Sequence, residues 1–169
     1  MSEFKKVNPV KFDESPFRKI GKDWMLVAAE KGGKVNAMTA SWGGIGVLWG
    51  KNVAFVFIRK SRYTKEFVDS SETFSLSFFN HAENAEMLNY MGKVSGREED
   101  KIAKCGLTVN HAENTPYFDE AETVMLCRKM AVVPISADNY LDPSIDGRWY
   151  ADKDYHDMYV AEILDILEK

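Results

Sequence analysis

The chain has 169 residues, 45% hydrophobic and 28% charged, enough for one compact domain with its own core and too few for two, so a single domain over residues 1–169 is expected. Its formal net charge of -4 lacks the basic excess of a general nucleic-acid or membrane-surface protein. No apolar run reaches the length of about 18 residues needed to span a membrane, and none follows Lys5 and Lys6 as in a secretory leader, so a soluble cytoplasmic protein is expected.

Along the chain, short apolar runs alternate with turn residues, which is a strand pattern. Residues 24–29 form the first run, closed by a Lys-Gly-Gly-Lys turn at 31–34. A second run starts near Val35 and breaks at Gly43 and Gly44. Residues 53–58 are apolar on both alternating sets, which predicts a strand covered on both sides. In residues 74–79, Phe74, Leu76 and Phe78 share one face with Ser75 and Ser77 opposite. Residues 123–133 and 157–167 supply two later strands, the last of them bent. Helical segments are few: Thr64 caps a short helix to Val68 or Asp69 with Phe67 and Val68 turned inward. Residues 82–91 form a second helix stopped by Gly92, and 100–104 a third turn stopped by Gly106. Many strands with two or three short helices predict a mainly β fold, a Greek-key barrel rather than alternating βαβ units.

Several chemistries are excluded or left bland. Cys105 and Cys127 are far apart and form no CxxC pair, so neither a disulfide framework nor a structural zinc site is expected; both are read as structural. There is no GxSxG or HExxH, and His81, His111 and His156 have no metal-ligand spacing, so no metal is expected. The pentapeptide Asn-His-Ala-Glu-Asn occurs at 80–84 and at 110–114, but its flanks differ, and two matching polar turns explain it better than a duplicated metal site. Gly44, Gly46 and Gly50 do not make a dinucleotide fingerprint, because Trp49 stands at its last glycine and no strand–turn–helix context follows; the glycines fit a bend or bulge in a closing sheet.

Two segments carry chemistry. In residues 58–65, Arg59, Lys60, Arg62 and Lys65 alternate with Ser61, Tyr63 and Thr64 between an apolar strand and a helix. Forked guanidinium donors, hydroxyls and helix-start N–H groups are what a phosphate takes; a solvated basic turn has the same composition, and the turn alone leaves both readings open. In residues 36–42, Asn36, Met38, Thr39, Ala40, Ser41 and Trp42 form a small, hydroxyl-bearing stretch along which a planar ring can approach the backbone; an ordinary strand with a turn reads the same way.

Together the two segments resemble the flavin reductase-like family, whose fold is the FMN-binding split barrel. Its Asn-x-Met-Thr-x-Ser-Trp stretch is matched by residues 36–42 and its Arg-x-x-Arg-Tyr-Thr turn by residues 59–64. A Ser-Gly-Arg-x-x-Asp-Lys segment follows as Ser95, Gly96, Arg97, Asp100 and Lys101, and a closing His-x-x-aromatic-x-x-Glu strand as His156, Tyr159 and Glu162. Lys60 stands where proline is common, Ala161 replaces a frequent glycine, and the C-terminal extension that some relatives carry is not expected here.

The resemblance implies FMN as cofactor, with Asn36, Met38, Thr39, Ala40, Ser41 and Trp42 along the isoalloxazine edge. It implies Arg59, Ser61, Arg62 and Thr64 around the phosphate with Tyr63 close by, and Asn80, Lys101 and His156 completing the pocket. Lys101 is the candidate catalytic residue, stabilising charge that develops near flavin N1 and O2. The activity implied is an oxidoreductase that takes hydride from NAD(P)H onto FMN and passes electrons to an acceptor, in a homodimer with FMN near the interface. An FMN electron carrier reduced by a partner protein, related to flavoredoxin, and a barrel that has lost its flavin are the alternatives. Residues 139–154, rich in Asp and aromatics, are expected to cover the flavin as a lid.

Overall fold

The computed structural model describes residues 3–169, so the reading of the N-terminus at Met1 and Ser2 lies outside it. Among the described residues the strands are β1 (Lys5–Val7), β2 (Met25–Lys31), β3 (Lys34–Ala40), β4 (Gly43–Leu48), β5 (Lys51–Arg59), β6 (Thr73–Phe78), β7 (Val109–Ala112), β8 (Thr115–Phe118), β9 (Thr123–Pro134) and β10 (His156–Glu168). The α-helices are α1 (Pro16–Arg18), α2 (Tyr63–Ser70), α3 (His81–Lys93), α4 (Lys101–Lys104) and α5 (Ser144–Trp149). Eight strands form one antiparallel sheet in the order β3-β2-β6-β9-β10-β5-β4, with β1 added to β10; β7 and β8 pair separately. The architecture is the expected mainly β split barrel.

The hydrophobic pattern explains which way each strand faces. Val27, Met38, Val56, Phe74, Met125 and Tyr159 come from six different strands and share one core cluster, so the sheet curls around it. Helix α2 closes that core with Phe67 and Val68, 2% and 0% exposed, each burial contributing roughly 1.5–3 kcal/mol. The opposite face of the sheet carries a second cluster in which Leu26, Ala37 and Leu126 meet Leu88 and Met91 of α3 and Phe118 of β8.

The alternation in β6 holds: Phe74, Leu76 and Phe78 enter the first core. Ser75 and Ser77, on the other face, are fully buried as well, and Ser75 Oγ donates to the Pro116 carbonyl at 2.6 Å. The expectation for β5 is only half met. Ala54, Val56 and Ile58 are buried, but Phe55 and Phe57 on its other face are half-exposed. The bend in β10 consists of two register shifts against β9, after Val160 and after Ile163, the first beside the fully buried Ala161.

Three local readings change. Thr64 is not a cap: α2 begins at Tyr63 after Arg62, and the Thr64 hydroxyl instead accepts a hydrogen bond from Asn36 Nδ2 at 2.8 Å. Gly92 does not stop α3, which runs through it; a Cβ there would lie 3.3 Å from Thr39 Cβ, so its bareness lets α3 sit close on β3. Gly43 and Gly44 do not end a strand but open β4, and a Cβ on Gly43 would stand 2.6 Å from the Phe55 carbonyl oxygen.

The Asn-His-Ala-Glu-Asn repeat shows how far context overrides local sequence. The first copy starts α3, with the Asn80 side chain accepting from the Ala82 N–H. The second copy is strand β7 and its tight turn, with Glu113 and Asn114 at φ 49° and 56°. No cluster of ligands fit to hold a metal occurs among the described residues.

Candidate functional site

Strand β3 ends the sheet, so the alternate N–H and C=O groups on the side away from β2 have no strand partner. The chain leaves β3 at Ser41 and Trp42 and re-enters the sheet at its other end as β4, and a groove opens at this split. A cavity of about 190 Å³ is lined there by residues 38–42, Phe57, Arg59, Arg62 and His156. A second, of about 150 Å³, is lined by residues 61–64, 93–97 and Lys101. Arg62 lines both. Each by itself is below the volume of roughly 300–1,000 Å³ usual for a ligand pocket, and Arg62 is the residue that the two share.

Three rings, Trp42, Phe57 and His156, line part of the first cavity. The Trp42 ring lies 5.1 Å from the His156 ring and 5.2 Å, edge to face, from Trp149. Met38 and Ala40 send their side chains into the barrel core. Thr39 faces the other way, its hydroxyl donating to the Leu88 carbonyl of α3 at 2.5 Å. His156 is 7% exposed, and its Nδ1 shares a hydrogen bond of 2.8 Å with the Tyr150 hydroxyl. Burial, and then the Arg59 guanidinium, push its pKa from 6.5 down to about 4, so a neutral imidazole faces the groove at neutral pH.

That shift has a stability consequence. Between pH 6.5 and about 4 the unfolded chain takes up a proton on His156 that the folded chain refuses. Folding stability should therefore fall as the pH drops through this window. Urea midpoints against pH should be flatter there for His156→Phe than for the natural protein; parallel curves would contradict the assignment.

The second cavity is cationic and held by close packing. Asn36 is 3% exposed, Thr64 1%, and the bond between them ties β3 to α2. Gly96 lies directly against Asn36: a Cβ there would be 2.1 Å from its Oδ1 and 3.2 Å from Tyr63 Cδ1. Arg97 lies 4.6 Å over the Tyr63 ring and pairs with Glu66 at 2.5 Å. Arg62 Nη1 donates to the Gly92 carbonyl at 2.7 Å, and burial lowers its pKa. Lys101 is 3% exposed and donates to the Met91 and Val94 carbonyls at 2.7 and 2.9 Å; burial first, and Arg62 second, bring its pKa down to about 8.

The groove brings together Met38, Thr39, Ala40, Ser41, Trp42, Arg59, Arg62 and His156 in one cavity and Ser61, Arg62, Tyr63, Thr64 and Lys101 in the other, with Asn36 buried against the second. It does not include Asn80, which caps α3 and lines a different cavity with His81 and Glu122. Nor do all four cations of the turn face the groove. Lys65 is bound to Asp69, Asp157 and the Tyr159 hydroxyl at 2.8–2.9 Å, and Lys60 lies 4.0 Å from Asp157. Phe57 lines the cavity as well, and in the sequence only its alternation, with Phe55, against the aliphatic Ala54, Val56 and Ile58 points to it.

The segment expected to act as a lid is bound to the arginine turn. Arg59 donates to the Asp154 carbonyl at 2.7 Å and to the Trp149 carbonyl, near the end of α5, at 3.1 Å. Asp154 accepts from the Ser61 N–H and hydroxyl.

A family model described as flavin reductase like domain matches residues 17–169. Comparison with curated proteins gives no match. Solved structures with the same fold include a flavoredoxin from Methanosarcina acetivorans, 22% identical with a TM-score of 0.69 over 87% of this chain and 68% of that one. An FMN-binding domain of a flavin reductase-like enzyme from Shewanella baltica is 18% identical, with a TM-score of 0.71 over 99% and 78%. The flavoredoxin of Desulfovibrio vulgaris is 23% identical, with a TM-score of 0.67 over 86% and 69%. No helix among the described residues is long and apolar enough to cross a membrane.

Proposed function

The chain belongs to the flavin reductase-like family, and from that premise we propose that it binds FMN in the groove at the barrel split and works as an NAD(P)H:flavin oxidoreductase. The observation that carries this reading is the pairing of two cavities across Arg62, one along the free edge of β3 and one rich in cations and hydroxyls. A flat heterocycle with a phosphate tail has those two needs at its two ends. The neighbours' FMN-binding names agree with it.

When bound, FMN supplies the redox chemistry, accepting a hydride and releasing electrons to an acceptor. The residues of this chain orient it. The unpaired N–H and C=O groups of β3 hydrogen-bond the ring edge, and Trp42 and Phe57 exclude water beside it. Arg62, Ser61 and Thr64 hold the phosphate end, while neutral His156 keeps a second positive charge away from the ring. Lys101, with one N–H bond beyond the two made to carbonyls, offers positive charge to the reduced ligand.

An absorbance spectrum of the purified protein, with the released chromophore identified by mass spectrometry, tests the ligand. A colourless protein that takes up no added FMN would refute it. Stopped-flow mixing with NADH and NADPH tests the activity: loss of flavin absorbance within turnover time supports the reductase, and no loss makes the protein an electron carrier. Lys101→Met should slow that reduction without abolishing FMN binding. Because its pKa is about 8, the natural rate should also fall as pH rises through 8, whereas the variant's should not. An unchanged rate in Lys101→Met would remove the role. The proposal includes a homodimer located in the cytoplasm; the exposed Trp42, Trp49, Val132 and Trp149 support the dimer, and sedimentation velocity tests it.

A further inference from the structure

Two of the donors assigned to the phosphate, both on Ser61, already hold an anion of the chain's own. The Ser61 N–H donates to Asp154 Oδ1 at 3.1 Å and its hydroxyl to Asp154 Oδ2 at 2.5 Å. One carboxylate thus takes an amide and a hydroxyl with its two oxygens, the way these donors would take two oxygens of a phosphate. Asp152 adds a further negative charge, 3.9 Å from Arg59.

Resting on the reading that Ser61 faces the phosphate of a flavin, we infer that Asp154 is a specificity-determining residue. Its carboxylate sets the balance between flavins with and without a phosphate, and makes FMN an exchangeable ligand rather than a retained group. A phosphate reaching Ser61 must displace Asp154, leaving that carboxylate without two of its donors, or share the donors at hydrogen-bond distance from a like charge. Riboflavin, which ends in a hydroxyl, meets neither penalty. Discrimination of this kind comes from the repulsive group in the site as much as from the attractive ones.

The position of Asp154 does not depend on its own side chain. Arg59 holds the Asp154 main-chain carbonyl, the Lys60 N–H donates to the Tyr155 carbonyl at 3.1 Å, and the Tyr155 hydroxyl donates to Asp146 at 2.7 Å. Asp154→Asn retains an acceptor for the Ser61 amide and loses only the charge; Asp154→Ser shortens the side chain as well. Both should melt close to the natural protein.

The test is titration of the natural protein and both variants with FMN and with riboflavin, followed by flavin fluorescence. The FMN dissociation constant should drop about tenfold in the variants while that for riboflavin stays within about twofold. An FMN constant unchanged by the substitutions, or an equal change for both flavins, overturns the role of Asp154 while leaving the flavin site standing. Failure of all three proteins to bind either flavin overturns the site itself, and the role of Asp154 with it.

Discussion

Replacing Arg62 with Met is expected to weaken FMN binding on the order of a hundredfold, about 2.7 kcal/mol, with the fold retained. Arg62 is the residue that both cavities share, and its Nη1 bond to the Gly92 carbonyl fixes it against the end of α3. A guanidinium positioned in this way is pre-organised, so little side-chain entropy is lost when it meets a phosphate, and a charge-assisted bond to an anion contributes roughly 1.5–3 kcal/mol. Methionine fills similar volume without the charge. Arg59→Met should have a smaller effect, about tenfold or less, because the Arg59 guanidinium already donates to the Asp154 and Trp149 carbonyls. Fluorescence titration of the two variants beside the natural protein gives the ranking. Equal losses, or a larger loss at Arg59, would mean that Arg62 is not the principal guanidinium on the phosphate.

That asymmetry is a good measure of what the sequence reveals. Arg59 and Arg62 occupy equivalent places in a basic turn, and no local feature separates them. What does so is Asp154, more than ninety residues further on, and the carbonyl of Trp149, both brought to the turn by the pairing of β10 with β5. The turn and the strand at residues 36–42 were legible because each concentrates one kind of chemistry in a few residues. Lys65 belongs to the same turn by composition, yet helical geometry carries it round to Asp69, Asp157 and Tyr159.

The fold was legible where one face is purely apolar, as in β6, where Phe74, Leu76 and Phe78 mark the barrel interior. It was only half legible in β4, where Gly43 and Gly44 read as the break of a run and Gly44 and Gly46 as a bend or bulge in a closing sheet, and whose strand character comes from register against β5. Strand β1 hides for a different reason: Lys5 and Lys6 are exposed, so pairing with the end of β10, not burial, makes it a strand. The end of its strand points to Asn80 as a pocket residue, whereas in the fold its side chain caps α3 and lines a cavity apart from the groove.

Gly96→Ala should separate the site from the rest of the fold more sharply than any change of charge. The added methyl would stand 2.1 Å from Asn36 Oδ1 and 3.0 Å from its Cγ, with Tyr63 Cδ1 at 3.2 Å on another side. Asn36 cannot swing aside freely, because it is 3% exposed and its amide donates to the hydroxyl of Thr64, a residue that is itself 1% exposed. Moving it breaks that bond inside the protein, so overpacking and an unmet buried polar group add, giving an expected loss of about 2–4 kcal/mol. Gly147→Ala is the matching control. Gly147 lies in α5 with nothing within 4 Å of its would-be Cβ, so alanine there should be neutral or stabilise by up to about 1 kcal/mol. Thermal and urea unfolding of the two variants should move in opposite directions or leave Gly147→Ala in place. Gly96→Ala should also lose FMN affinity at temperatures where it is still folded, since the displaced Asn36 and Tyr63 sit at the cationic cavity. A Gly96→Ala protein as stable as the natural one would show that the contact between residues 93–97 and β3 yields easily, and that the cavity is not pre-formed.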